Sequence, residues 1–302
     1  ANKPVRGCDP LEGIGLVFSA PIDPSSVRER LKLAPDPRAK QDEDAWPDAE
    51  QGARVTWAHK AGQSYTLWLP FTFAAETEYA LELAAGAVDR FGRRLDSAVA
   101  KHVVTGSRSS RLVFDHANAV LESGIDSEVP AIVTNLQAIV ARYTRMTADG
   151  LQAQQETRVP VAPARNVAFA MPLEARGMIG AGSGAVRGTL DSEPSDGPVR
   201  EFFAQVTPWQ VHAKFGHANT LVWVTRFDDG TPVADAEVAV IEGFGDAAKA
   251  TARTDADGLA LLPGSAELDP ALDRAWKRGN DALAVRVRKG SAKNAEFALL
   301  PL

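Results

Sequence analysis

Residues able to do chemistry are few in this chain and widely spaced. Glycines at 180, 182, 184 and 188 form a cluster that raises the question of a phosphate-cradling loop. The cluster has neither a Gly-Lys-Ser/Thr ending nor dinucleotide spacing, so residues 176–198 are expected to form a loop or a loosely held hairpin. Ser183 lies between Gly182 and Gly184, but a nucleophile elbow needs glycine where this chain has Ala181 and Ala185. Asp255, Asp257 and Gly258 resemble the opening of a calcium loop, with alternate carboxylates that could converge on one hard cation. The later bidentate glutamate is missing, because Glu267 arrives out of register after Pro263 and Gly264. A tight turn capped by aspartate, with Gly258 at positive φ, is the stronger expectation.

His212 and His217 are five residues apart across the end of a predicted strand, and no third ligand can be placed beside them. His59, His102 and His116 are scattered, so strand-face or surface histidines are expected. Trp46, Trp57, Trp68, Trp209, Trp223 and Trp276 could stack on sugars or peptides, since an indole offers a large apolar face with a donor at its edge. Most lie in alternating strands, where a place in the core or between modules is the plainer expectation. Cys8 stands beside Asp9 and Pro10 without a neighbouring base. As the single cysteine it can form no intrachain disulfide and supplies no paired zinc spacing. The sequence therefore assigns no catalytic, cofactor-binding or metal-ligating residue and calls for no cofactor; the chain reads as a non-enzyme.

The elements around these residues are short strands. The run at 16–18 is ended by Pro21 and Pro24; 55–57 and 65–69 are separated by a glycine-bearing loop at 60–63. Glu78, Tyr79, Ala80, Leu81, Glu82 and Leu83 alternate strictly, placing Tyr79, Leu81 and Leu83 on one buried face. A turn at 89–92 and a strand at 101–105 close a first module near residue 107. The stretch 129–146 fits either a helical stripe or an extended chain; Pro130 and the β-branched Ile132, Val133 and Thr134 favour two strands turning at Asn135. Further strands are predicted at 209–215, 220–225, 236–240, 259–263, 281–287 and 297–300, with turns at 228–230 and 255–258. Helix should be minor, with 269–277, starting at Pro270, the best candidate. Strands punctuated by turns over three blocks of about 100 residues predict an all-β chain of tandem antiparallel β-sandwiches, at 1–107, 108–205 and 206–302.

The 302 residues carry 33 Lys and Arg against 39 Asp and Glu, a net charge of −6, which excludes a nucleic-acid binder driven by bulk positive charge. With 45% hydrophobic and 24% charged residues the chain can bury real cores. No apolar stretch reaches the roughly 18 residues of a membrane span, and residues 1–6 contain no signal-type apolar region. Ala1 rather than Met opens the chain, which leads us to expect a fragment.

Two runs carry a family resemblance: Asp229, Gly230, Thr231, Pro232, Val233, Ala234, Asp235, Ala236, Glu237, Val238, and later 250–259 with Thr254, Asp255 and Gly258. With the preceding strand at 220–225 they resemble a macroglobulin-type sandwich of the bacterial alpha-2-macroglobulins. Residues 133–143 resemble a strand of the preceding macroglobulin domain; 18–23, 79–83 and 88–92 resemble a bacterial Ig-like module. The resemblance implies a scaffold piece of a large periplasmic protease trap, anchored as a lipoprotein. In such a trap, cleavage of a bait region triggers closure and attack by a Cys-x-Glu-Gln thioester. Cys8, followed by Asp9, Pro10 and Leu11, is not that cysteine. The implied partners are other domains of the same polypeptide, target proteases and cell-envelope proteins, without nucleic acid. An adhesin-type array of Ig-like domains binding protein or polysaccharide is the alternative, as is an accessory region of a secreted carbohydrate-active enzyme. The strong difference between the three blocks argues against a repeated adhesive module.

Overall fold

The computed structural model describes residues 5–10, 12–37, 64–180, 182–273, 282–290 and 295–302. The chain forms two compact units, Ala1–Ser109 with Ala164–Val167, and Ser110–Pro163 with Ala168–Leu302. The fold is all-β, as the strand spacing predicts.

The first unit contains β1 (Val5–Cys8), β2 (Gly15–Phe18), α1 (Pro24–Arg30), β3 (Leu31–Ala34), β4 (Tyr65–Trp68), β5 (Glu78–Leu83) and β6 (Val99–Thr105). A four-stranded sheet has the order β1-β6-β5-β3, with β1 and β6 parallel, and β2 pairs antiparallel with β4. Alternation in β5 buries Tyr79, Leu81 and Leu83, and the Tyr79 ring meets Phe73 edge-on at 5.0 Å. Helix α1 departs from the sequence reading, in which Pro24 served only to stop a strand. Asp23 caps it, its carboxylate accepting from the Ser25 N–H at 3.1 Å, and Pro24 occupies a first-turn position where its missing N–H costs nothing. Its buried Val27 fixes the turn into β3. The expected strand at 55–57 and loop at 60–63 lie outside the described residues.

The first half of the second unit contains β7 (Arg111–Val113), β8 (Asn118–Glu122), β9 (Pro130–Thr134), β10 (Ala138–Thr147), β11 (Gly150–Leu151), β12 (Gln155–Pro160), β13 (Ala168–Pro172), α2 (Ala175–Ile179), β14 (Gly184–Glu193) and β15 (Arg200–Thr207). One sheet runs β13-β9-β7. The other runs β11-β10-β14-β15-β8 with β12 also on β10, and β15 pairs parallel with β8. Asn135 turns the chain at φ 51°, so 129–146 is two strands, as β-branching favours. The loop or loosely held hairpin expected at 176–198 is corrected: β14 pairs antiparallel with β15 but lies inside the sheet. That segment holds α2 and the ten-residue β14, which lies between β10 and β15. Glycine serves close approach here instead of flexibility: a Cβ at Gly188 would stand 2.0 Å from the Arg142 carbonyl oxygen across the β10 pairing. After β14, Asp196 gathers the end of this half. It accepts from the Leu112 N–H at 2.8 Å and the Ser192 hydroxyl at 2.9 Å, and pairs with Arg200. Burial pushes its carboxyl up, but Arg200, the Leu112 N–H and Ser192 outweigh this and set it at about 2.

The second half contains β16 (Trp209–Phe215), β17 (Asn219–Arg226), β18 (Glu237–Glu242), β19 (Ala248–Arg253), β20 (Leu259–Pro263), α3 (Ser265–Leu268), β21 (Leu283–Lys289) and β22 (Glu296–Pro301). Sheets β16-β17-β20 and β19-β18-β21-β22 face each other over Trp209, Val222, Val238, Val240, Val285 and Leu262. The helical turn falls at 265–268, ahead of the predicted 269–277. Residues 269–273 are non-helical, because Asp269 caps α3 instead of opening a helix, and 274–277 lie outside the described residues.

Candidate functional site

The two halves of the second unit share a second core that lies between them. In β18 the alternate residues Val238 and Val240 face the inner core of their own sandwich, while Ala239 and Ile241 join a separate cluster. That cluster also takes Ala284 of β21 and Phe297 and Leu299 of β22, and packs them on Met146 of β10, Ala185 of β14 and Phe203 of β15. Strands β18 and β22 are therefore apolar on both sides, as strands covered from both sides must be. The Phe203 ring meets Phe244 edge-on at 5.9 Å, and the Arg187 guanidinium lies over the Phe244 ring at 6.0 Å.

Polar contacts fix the register of this seam. Strand β22 is an edge strand, paired only with β21, so alternate backbone groups point away from its sheet. The Gln205 side chain takes two of them: its Nε2 donates to the Leu299 carbonyl at 2.8 Å and its Oε1 accepts from the Leu299 N–H at 2.9 Å. One amide side chain thus pairs with β22 as a neighbouring strand would. The Ser183 hydroxyl accepts from the Phe297 N–H at 2.7 Å. Farther along, the Asp246 carboxylate accepts from the Leu151 N–H at 3.1 Å, next to Gly150, where a Cβ would stand 3.2 Å from both its oxygens. Behind it the buried Arg286 donates to the Asp246 carbonyl at 3.2 Å. Burial, with Arg288 nearby, lowers the pKa of this guanidinium, against the opposing pull of Glu237 and Asp246.

A polar cleft of about 700 Å³ adjoins the seam, lined by Arg145, Asp149, Arg176, Ser183 and Glu296 among others. Its arginines serve the fold. Arg145 donates to the Gln152 side-chain oxygen and the Ile179 carbonyl; Arg176 donates to the carbonyls of Glu122 and Ser127. What the cleft offers, among the described residues, is internal bonding of a loop and α2.

Several residues singled out in the sequence lie elsewhere. Asp255 caps its own turn, its Oδ1 accepting from the N–H groups of Asp257 and Leu259 at 2.9 Å, with Gly258 at φ 75°. Glu267 belongs to α3. His212 stacks beside Trp223 at 5.9 Å across the β16–β17 pairing, and His217 meets the Ser265 hydroxyl at 3.4 Å. His102 pairs with Glu78 at 2.9 Å and His116 sits edge-on to Phe114. Among the described residues no three His, Cys, Asp or Glu side chains group as a metal site would require. Cys8 is partly buried against the core of the first unit. Trp209 is a core residue, but Trp68 and Trp223 are 57% and 45% exposed, contrary to the expected burial, because each lies on the outward side of its strand. Trp46, Trp57, Trp276 and His59 lie outside the described residues. Gln205, Phe203 and Leu299 carry the seam and were not singled out. Their signal was a run without charge at 202–207 and another at 297–300, each too apolar for a strand with one wet face.

Residues 206–302, which include the second half of this seam, match the family model of the bacterial alpha-2-macroglobulin MG3 domain. The fold is shared with native alpha-2-macroglobulin from Escherichia coli spanning domains MG0-NIE-MG1, at 13% identity and a TM-score of 0.50, over 95% of this chain and 92% of that one. Salmonella alpha-2-macroglobulin reacted with methylamine is similar at 16% identity and a TM-score of 0.55, over 95% of this chain and 17% of that one. No curated protein matches the chain. The class is that of multidomain β-sandwich proteins. Residues 206–302 are thus similar to one domain of the bacterial alpha-2-macroglobulins, and the chain spans about a sixth of the Salmonella protein that it matches in fold.

Proposed function

We propose that this chain is scaffold within a bacterial alpha-2-macroglobulin that traps proteases in the periplasm, built as domains 1–107, 108–205 and 206–302. Bait and thioester, on this reading, belong to other parts of the polypeptide, as does any lipoprotein anchor; target proteases are met only by the assembled trap. The observation that carries the reading is the seam. A buried apolar cluster with a strand-mimicking glutamine fixes the relative orientation of the last two sandwiches, which a trap needs if cleavage at one point is to move a distant part in a defined direction. No role in bond-making is assigned to any residue here.

The test compares two preparations with a model protease: the 302-residue chain alone and the full-length polypeptide. The full-length polypeptide should sequester protease in stoichiometric amounts and the chain alone should not. Inhibition by the isolated chain, or none by the full-length polypeptide, would overturn the proposal.

A further inference from the structure

Among the buried groups of the seam, one works against it. Register sets Arg286 of β21 between Ala239 of β18 and Leu299 of β22, on the side of the sheet that also carries Ala284, Ile241 and Phe297. At 6% exposure it is nearly cut off from solvent. Its Nη1 donates to the Asp246 carbonyl at 3.2 Å, and its buried Nε has no hydrogen-bond partner among the described residues. Neither neighbouring carboxylate pairs with it. Glu237 pairs with Arg288 at 2.8 Å, and the Asp246 carboxylate accepts from the Leu151 N–H. Arg288, two residues on along the same side of β21, adds a like charge.

A charged group taken out of water is offset only by a counter-charge and complete hydrogen bonding, and Arg286 has one hydrogen bond to a neutral carbonyl. An apolar side chain of similar length would fill the same place without that cost, as Ile241, Phe297 and Leu299 do around it. Closing the seam therefore sets two effects against each other. The apolar cluster, Gln205 and Ser183 gain by contact, while the guanidinium gains by returning to water when the sandwiches part.

We infer that Arg286 is an opening device: it narrows the free-energy gap between the closed seam and an open one, so that the two sandwiches separate while each stays folded. The device belongs to the joint and holds whether or not the protein traps proteases. Amide hydrogen exchange on the 302-residue chain reads it. The Leu299 and Phe297 N–H groups, bonded across the seam to Gln205 and Ser183, exchange when the seam opens. The Val224 N–H, bonded to the Gly258 carbonyl inside the sandwich formed by β16–β22, exchanges only when that sandwich unfolds. Corrected for intrinsic rates, Leu299 and Phe297 should exchange about tenfold or more faster than Val224. Arg286→Met keeps an unbranched stem and removes the charge; it should slow Leu299 and Phe297 by about tenfold and leave Val224 unchanged. Arg286→Lys keeps a charge and should slow neither. Equal exchange at all three amides in the native chain overturns the inference. So does unchanged or faster exchange at Leu299 and Phe297 in Arg286→Met, or a failure of that variant to fold, since Arg286 would then be a stabilising contact. Slowing by lysine as much as by methionine overturns it too, because the charge would not be the cause.

Discussion

The two outward faces of the sandwich formed by β16–β22 both carry large apolar residues, yet they are built differently. The face toward the preceding sandwich couples its apolar residues to groups that bond in one register only: Gln205 to both backbone groups of Leu299, Ser183 to Phe297, Asp246 to Leu151. The β16-β17-β20 face exposes Leu221, Trp223 and Leu261 beside His212 and Lys214, and its indole donor is used within its own sandwich. Apolar area makes a face adhesive, while the polar contacts decide which arrangement it accepts. By this criterion the first face is a joint completed within the chain, and the second is an exposed surface among the described residues.

Phe203→Ala breaks the comparison most severely. Phe203 is 5% exposed between Met146, Ala185 and the Phe244 ring, so its truncation should cost about 4 kcal/mol in urea unfolding. Gln205→Ala comes next. It leaves the Leu299 N–H and carbonyl without their partners, at about 2 kcal/mol, and should raise hydrogen exchange at Leu299 specifically. Asp196→Asn sharpens the contrast between joint and single-sandwich stability. Its folded pKa of about 2 lies below the ordinary aspartate value of 3.8 that it has in the unfolded chain, so its contribution is full above the unfolded value and is lost as pH falls through the folded one. The variant should be less stable by about 2 kcal/mol at pH 7, and acid titration of stability should lose its Asp196 part between pH 4 and 2. Leu261→Ser has the smallest effect: at 65% exposure it should shift the stability of the isolated chain by less than about 0.5 kcal/mol. A large loss there would mean the face is already covered within this chain.

What was legible in the sequence followed two rules. Alternation placed Tyr79, Leu81 and Leu83 correctly, and turn chemistry placed Asn135 and Asp255. What escaped it had physical reasons. Asp23 and Pro24 carry a helix start, but so close to the strand ending at Phe18 the proline served equally as a stop. Gly184 and Gly188 read as flexibility because a sequence does not show the strand that β14 approaches. The seam was hidden because period-two patterns report which side of a strand is apolar, and β18 is apolar on both. Trp68 and Trp223 were expected in the core or between modules because they lie in alternating strands, whereas strand parity placed them outward.

The glutamine on the edge of β22 has a consequence for what happens when the two sandwiches part. Gln205 and Ser183 hold backbone groups that would otherwise be a row of open donors and acceptors beside Phe297 and Leu299, two of the most apolar positions in the sheet. Separation would turn a finished joint into an open strand edge, ready to recruit the edge of another molecule. The preceding sandwich thus acts as a built-in guard against aggregation for the one that follows, and variants that loosen the seam should precipitate before they unfold.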